Sequence, residues 1–425
     1  MINVFVAILF FSLLLWFVFR HSFFRIDTLP RIAAPVLFLS KILGGVALFF
    51  IYTYYYTDRE TADIFKFYDS GLQHREAVEK NPEHRLSLLT GMNDEINNLY
   101  IDKIKNWKRP FSKTMLNENR LLIRAHCLLS FISIKNYHLH NILFCFLSFL
   151  GAWWLVKSMS VWLEKKWLYL FFLLLLFPSA ILWSSGLLKE SVLLFCIGGA
   201  IYFMSSKKPW LSKLVIAMLF IIVLFYTRTV LGGIIFLGVL SYLVISVLNI
   251  RKGISVFFIG GFVLVMLVSL VLPKIDPLYD YFKVIARKQK YAYEESVAYG
   301  AGSIIEVHRV SRDPVSVFTG IPIGFMYGLV QPIPMQSKGK IFIVMSSTEN
   351  IALVFLFVYL VLGIKKQPHE QEQFFWLLFF IAFVYLSFIG MLVPVLGNLA
   401  RYKSIVMPLL LGSFMILQQQ KESKN

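Results

Sequence analysis

Long apolar runs separated by short polar connectors fill most of the chain. They fall near residues 2–19, 33–56, 138–156, 167–183, 190–204, 214–227, 229–249, 254–272, 341–364, 374–395 and 404–417. About 20 apolar residues cross the hydrocarbon core of a bilayer as a helix, and helices satisfy their own backbone there. The pattern therefore predicts an all-α polytopic membrane protein, one transmembrane domain over residues 1–425 with about 11 transmembrane helices. Two stretches break the rhythm. Residues 57–137 are rich in Asp, Glu, Asn and Lys and read as a first large outer loop. Its end, residues 121–134 (LLIRAHCLLSFISI), is apolar but too short to span, which fits a helix lying along the interface. Residues 273–340 read as a second outer loop. It holds an aromatic and basic stretch at 279–296 (YDYFKVIARKQKYAYEES), expected to be an amphipathic surface helix, and a flexible GAGS turn at 300–303. Between Val317 and Gln336 it carries Gly320, Pro322, Gly324, Gly328, Pro332 and Pro334. That many breakers predict a re-entrant or kinked segment buried in protein. The glycine pairs at 198–199, 232–233 and 260–261 lie inside spans and read as helix-packing positions. No solenoid repeat, low-complexity tract or separate soluble catalytic domain is visible.

Composition agrees with the pattern. Of 425 residues, 58% are hydrophobic and only 16% charged, with a mean hydropathy of +0.68; a soluble domain carries about 25% charged residues. The net charge of +18 raises nucleic acid as a partner. The placement of the basic residues argues against it. Arg20, Arg25 and Arg31; Lys157, Lys165 and Lys166; Lys207, Lys208 and Lys213; Arg251 and Lys252; Lys365 and Lys366; and Lys421 and Lys424 all sit in connectors. With the apolar runs counted as spans, every cluster lands on one side, and by the positive-inside rule that side is the cytoplasm. The N-terminus is then outside and the C-terminus inside, in a multi-pass protein of a bacterial inner (plasma) membrane. The first run has no basic n-region and no small-residue cleavage site, so it is expected to be a retained span. Cys127, Cys145 and Cys196 lie in apolar helical runs, which suggests neither a disulfide framework nor a metal site.

The remaining cations change the picture. Lys189, Arg228 and Arg401 fall at the opposite, outer ends of spans, with Glu190, Asn398 and Glu349 in the same neighbourhoods. Ionisable groups at membrane depth are costly and usually face a cavity with a task. Four stretches carry them. Residues 54–71 (YYYTDRETADIFKFYDSG) place Asp58, Glu60, Asp63 and Asp69 just outside the second span. A carboxylate there can act as a general base or hold a divalent cation near a phosphate; an acidic solvated loop is the alternative. Residues 177–191 (FPSAILWSSGLLKES) join a proline break, a Ser–Ser–Gly turn and a helix opening on Lys189 and Glu190. The free N–H groups and positive dipole end of that helix, with Lys189 beside them, suit a phosphate. A tight loop with an interfacial ion pair is the alternative. Arg228, in FYTRT, separates two runs with almost no loop, and either faces inward or snorkels to the headgroups. In residues 397–404 (GNLARYKS), Asn398, Arg401 and Tyr402 sit at a span end, with Arg401 suited to bidentate phosphate contact. Glu349, inside the run 341–364, is expected to find a partner in Arg401 or Arg228; a structural ion pair between helices is the alternative.

Asp63 with Tyr68 after it, the PSxxxWSSGxxKES stretch at 178–191 and the NxxRY stretch at 398–402 together resemble the bacterial multispanning glycosyltransferases of the GT-C type. The layout, extending over most of the chain, is also similar to surface-polysaccharide polymerases. GT-C enzymes carry an acidic residue or pair in the first outer loop, and an adjacent acidic pair such as Asp–Glu is missing next to Asp63. The resemblance implies transfer of a sugar from a polyprenyl-phosphate carrier to a glycan or lipid-linked acceptor at the outer face of the membrane. Asp63 would be the catalytic base, and Tyr68, Lys189, Glu190, Arg228, Glu349, Asn398, Arg401 and Tyr402 would bind substrate. Polymerisation of lipid-linked oligosaccharide repeat units is the close rival. A flippase for lipid-linked glycans is the rival without bond chemistry, and its expected repeat symmetry and midplane helix breaks are absent from the sequence.

Overall fold

A computed structural model of the chain describes residues 2–56, 58–107, 119–276, 280–336, 341–365 and 367–418. Lys366, Lys421 and Lys424 of the basic connectors lie outside the described residues, as do parts of the stretches 57–137 and 273–340. In chain order the helices are α1 (Ile2–Arg20), α2 (Ala33–Phe50), α3 (Asp63–Lys80), α4 (Arg85–Thr90), α5 (Asp94–Asn98), α6 (Arg120–Ser133), α7 (Tyr137–Ser160), α8 (Lys165–Leu174) and α9 (Pro178–Trp183). They continue with α10 (Lys189–Ser205), α11 (Trp210–Thr227), α12 (Thr229–Val247), α13 (Ile254–Ile275), α14 (Tyr281–Ala298), α15 (Pro314–Val330), α16 (Ile341–Leu362), α17 (His369–Leu392) and α18 (Leu396–Ile416). Among the described residues there is no strand, only an isolated bridge between Ile304 and Val395.

Nine helices among the described residues are long and apolar enough to cross a membrane: α1, α2 with the π-turn at Ile51–Tyr55, α7, α11, α12, α13, α16, α17 and α18. This is the architecture of a multi-pass helical membrane protein. One of the eleven expected spans has another form. Residues 167–183 are divided into α8 and the six-residue α9. Pro178 lacks an amide hydrogen and disfavours helical backbone at Phe177. The chain ends α8 with tight bonds from Leu175 N to Phe172 O (3.1 Å) and Leu176 N to Leu173 O (3.0 Å). Residues 190–204 belong to the 17-residue α10. It starts after a buried turn in which Gly186 takes φ +64°, a conformation that glycine adopts without strain.

The chain divides into two compact units. The first comprises Met1–Lys157, Ile181–Ile201 and Leu219–Gly232. Its apolar helices meet through aromatic contacts, Phe38 against Phe11, Phe146 and Phe149. Gly198 and Gly199 are packing positions, as expected: a Cβ on Gly198 would overlap the Gly151 backbone, and one on Gly199 would lie 2.5 Å from the Phe220 ring. The polar first loop folds into a helical lobe. α3 and α6 pack closely because Gly71 carries no side chain, and a Cβ there would lie 2.5 Å from His126 Cβ. α6 buries Leu122, Ile123, His126, Cys127 and Ser130 and leaves Leu128, Phe131 and Ile132 exposed, so the helix has one packed and one open face. Trp107 is fully buried, donates Nε1–H to the Asn97 carbonyl (2.8 Å), and stacks on His74, with Arg120 and Arg124 within 5.0 Å of its ring centroid.

The second unit comprises Ser158–Ala180, Tyr202–Met218 and Gly233–Asn425. α15 is one helix, capped by Asp313, whose side chain accepts from Val315 N, and opened by Pro314. The glycines at 320, 324 and 328 therefore do not break the segment. Spaced four apart, they line one face against α17. A Cβ on Gly324 would overlap the Ser387 carbonyl oxygen, one on Gly328 would lie 2.5 Å from the Leu386 carbonyl oxygen, and one on Gly390 would overlap the Gly324 carbonyl oxygen. The seam brings two backbones together, the geometry that small residues permit between membrane helices. Gly260 differs from the expectation for its pair: nothing lies within 4 Å of where its Cβ would be.

Candidate functional site

The acids of the first loop separate by their partners. Asp69 receives two hydrogen bonds from Arg59 (2.9 and 2.8 Å), Glu60 pairs with Lys105 (2.7 Å), and Asp58 accepts from Thr61 Oγ1 (2.8 Å). Asp63 stands in the first turn of α3, where a carboxylate complements the helix dipole. It pairs with Lys66 one turn on, at 2.8 Å, and both side chains are partly buried. Lys66 Nζ lies 5.1 Å from the centroid of the Phe67 ring.

The same ring carries a second ammonium. Lys189 Nζ lies 5.1 Å from the Phe67 centroid and donates to Asn119 Oδ1 (3.1 Å). Lys189 opens α10 and is buried. Asn119 in turn donates to the Asn106 carbonyl (3.2 Å), and Asn106 Nδ2 donates to Ser70 Oγ on α3 (3.2 Å). A polar chain thus runs from the base of α10 back to the helix that bears Asp63. Glu190, fully buried, lies 3.8 Å from Arg228 Nη2. Arg228 occupies the single residue between α11 and α12. Asp63, Lys189, Glu190 and Arg228 all belong to the first unit.

Behind this group the Ser–Ser–Gly turn is held from within the membrane-spanning helices. Lys41, 1% exposed on α2, donates to Ser184 Oγ (2.6 Å), and Ser191 Oγ donates to the carbonyls of Ser184 (3.1 Å) and Gly186 (2.7 Å). The turn that precedes Lys189 is therefore fixed by buried polar contacts. Tyr68, expected to contact substrate, is packed into the first unit. It is buried and donates its hydroxyl to the Lys135 carbonyl (2.6 Å), with its ring packed edge-on to Tyr137 and His140. Burial raises the Tyr68 phenol above its ordinary range.

Glu349, Asn398, Arg401 and Tyr402 belong to the second unit. Asn398 is exposed, Tyr402 half-buried and Arg401 buried. Glu349 was expected to meet Arg401 or Arg228; its hydrogen bonds come from Ser179, through the backbone N–H (2.9 Å) and the hydroxyl. It lines a pocket with Ser346, Asn350, Lys403, Ser404 and Pro332. Lys403, which sequence reasoning passed over, donates to the carbonyls of Leu329 (3.0 Å) and Gln331 (2.7 Å) and to Asn350 Oδ1 (2.5 Å). Asn350 Nδ2 donates to the carbonyls of Val330 (2.5 Å) and Pro332 (3.3 Å). Two side chains thus satisfy carbonyls that the end of α15 leaves without helical partners. A lone Lys inside the apolar end of the chain was the available signal, as was Lys41 inside α2. Lys66 was legible from its i, i+3 spacing to Asp63.

Among the described residues, no group of three or more His, Cys, Asp or Glu side chains is placed to hold a metal ion. No protein-family model matches the chain, and no curated protein or solved structure is detectably similar to it.

Proposed function

We propose that the protein is a membrane glycosyltransferase that moves a sugar from a polyprenyl-phosphate carrier to a glycan or lipid-linked acceptor at the outer face of a bacterial inner membrane. The observation that carries this reading is the Phe67 ring flanked by Lys189 and by the Asp63–Lys66 pair. Each ammonium lies 5.1 Å from the ring centroid, and the carboxylate lies 2.8 Å from Lys66. Glycosyl transfer needs both kinds of group. In this reading Asp63 takes the proton of the acceptor hydroxyl as its oxygen attacks the anomeric carbon. The bond from that carbon to the phosphate oxygen breaks, and the electron pair stays on the phosphate. Lys189, with Arg228 near Glu190, stabilises that charge. Lys66 orients the Asp63 carboxylate. Tyr68, Glu190, Glu349, Asn398, Arg401 and Tyr402 are further candidate substrate contacts.

The test uses the full chain in lipid nanodiscs, with polyprenyl-phosphate sugar as donor and a lipid-linked glycan as acceptor. Asp63→Asn is expected to abolish product while retaining donor binding. Arg228→Ala is expected to weaken donor binding by about 2–5 kcal/mol if the guanidinium is a buried phosphate contact. Full activity in Asp63→Asn removes Asp63 as the base; absence of product with the wild type defeats the enzymatic reading.

A further inference from the structure

α14 begins six residues after α13 ends, and it is tied to the end of a second long apolar helix. Gln289, buried at its middle, donates Nε2–H to the Met391 carbonyl in the last turn of α17 (2.7 Å) and to the His308 carbonyl (2.7 Å), and accepts from Val310 N (2.8 Å). Its Phe282 and Ile285 pack in a cluster with Met266 of α13 and Met391. Met266 lies more than two turns before the end of α13. α14 therefore lies alongside the ends of two spanning helices and is not carried away from them into solvent.

Its outward face has a different chemistry. Lys283, Arg287 and Lys290 follow one another at i, i+4 and i+7 and so share a stripe. Arg287 and Lys290 are exposed and Lys283 half-buried. Tyr281 and Tyr293 are also exposed, 47% and 49%. Arg309 and Arg312 are exposed on the loop that Gln289 holds against the helix. The acids of α14, Glu294 and Glu295, come after the stripe, with Glu294 3.6 Å from Lys290. A helix with its apolar face buried at span ends and a cationic, tyrosine-bearing face outside matches the chemistry of the headgroup layer.

We infer that α14 binds the phosphates of anionic phospholipids through Lys283, Arg287 and Lys290. This goes beyond the transferase reading and does not depend on it. Each cation near an anionic surface contributes roughly a five-fold preference. The experiment takes the full chain, delipidated in detergent, and measures phosphatidylglycerol against phosphatidylcholine retention by native mass spectrometry. The wild type is expected to prefer phosphatidylglycerol. The variant Lys283→Gln/Arg287→Gln/Lys290→Gln should lose about ten-fold or more of that preference. Glu294→Gln, which releases Lys290, should strengthen it. No preference in the wild type, or an unchanged preference in the triple variant, overturns the proposal. So does loss of soluble polyphosphate binding in the triple variant with phosphatidylglycerol preference intact, which would make the stripe a surface for polyanions and not for lipid.

Discussion

Lys403→Met tests how the second unit is held together. Methionine keeps most of the side-chain volume and removes the charge. Three acceptors lose their donor at once: the carbonyls of Leu329 and Gln331 and Asn350 Oδ1, at 3.0, 2.7 and 2.5 Å. Two effects oppose each other. Removing a buried ammonium relieves its desolvation, which favours the variant. Leaving buried acceptors unsatisfied costs about 1–3 kcal/mol each. Glu349 in the same pocket also loses the neighbouring positive charge. With all three ammonium hydrogens engaged at short range, the losses should win by about 3–5 kcal/mol, the usual effect of breaking a buried charged network. Asn350→Ala should cost less, since it releases Val330 and Pro332 but leaves Lys403 its two carbonyls. The double variant should lose less than the sum of the two, because Lys403 and Asn350 share a bond. Reversible unfolding in mixed micelles, followed by tryptophan fluorescence, gives the four free energies of the cycle. A Lys403→Met protein within 1 kcal/mol of wild type, or strictly additive variants, would refute the view that these side chains clamp the end of α15.

Other substitutions probe the remaining claims. Gly324→Ala places a methyl group against the Ser387 carbonyl and Met391, so thermal unfolding should show a loss of about 1–3 kcal/mol. Gly260→Ala meets nothing and should be neutral or slightly stabilising through helix propensity, by up to ~1 kcal/mol. His74 is buried beside Trp107, and burial first, then the nearby Arg124 charge, lowers its pKa to about 4. The unfolded chain therefore takes up a proton at higher pH than the folded one. Stability should fall as pH drops from about 6.5 to about 4, by no more than ~3 kcal/mol for this residue, and His74→Phe should flatten that window in a denaturation series. Burial pushes the Cys127 thiol up to about 12, so maleimide should label it in the unfolded chain and not in the folded one.

The spans were legible because apolar length is nearly sufficient to define them. Nine of the eleven expected runs are long apolar helices among the described residues. One run shows where length misleads. At 167–183 the hydropathy is continuous, but Pro178 decides the backbone, and composition does not register one missing amide hydrogen. Residues 314–330 show what a count of helix breakers leaves out. Glycines at 320, 324 and 328 read as breaks when counted, and as a seam when their spacing of four is set against a partner helix. The residues of α17 that meet these glycines are more than 50 positions away in the chain, so nothing local announces them.

The polar residues follow the same logic. A charge at a span end, such as Lys189 or Arg228, stands out against an apolar background and was found. A charge inside a span stands out as much, yet Lys41 and Lys403 were passed over because a site at the outer face gave them no task. Their partners explain them: one holds a serine turn, the other the end of a helix. Both are cations bonded by neutral oxygens, in places where backbone leaves a helix and cannot reach water. In a bilayer such backbone must be satisfied from within the protein. An ammonium with three donors on a long stem can satisfy several carbonyls at once. Buried lysines of this kind fix the backbone on which a site is built, and they mark where that backbone departs from regular helix. The turn held by Lys41 leads directly into Lys189, which links a membrane-embedded structural cation to the candidate site through five residues of chain.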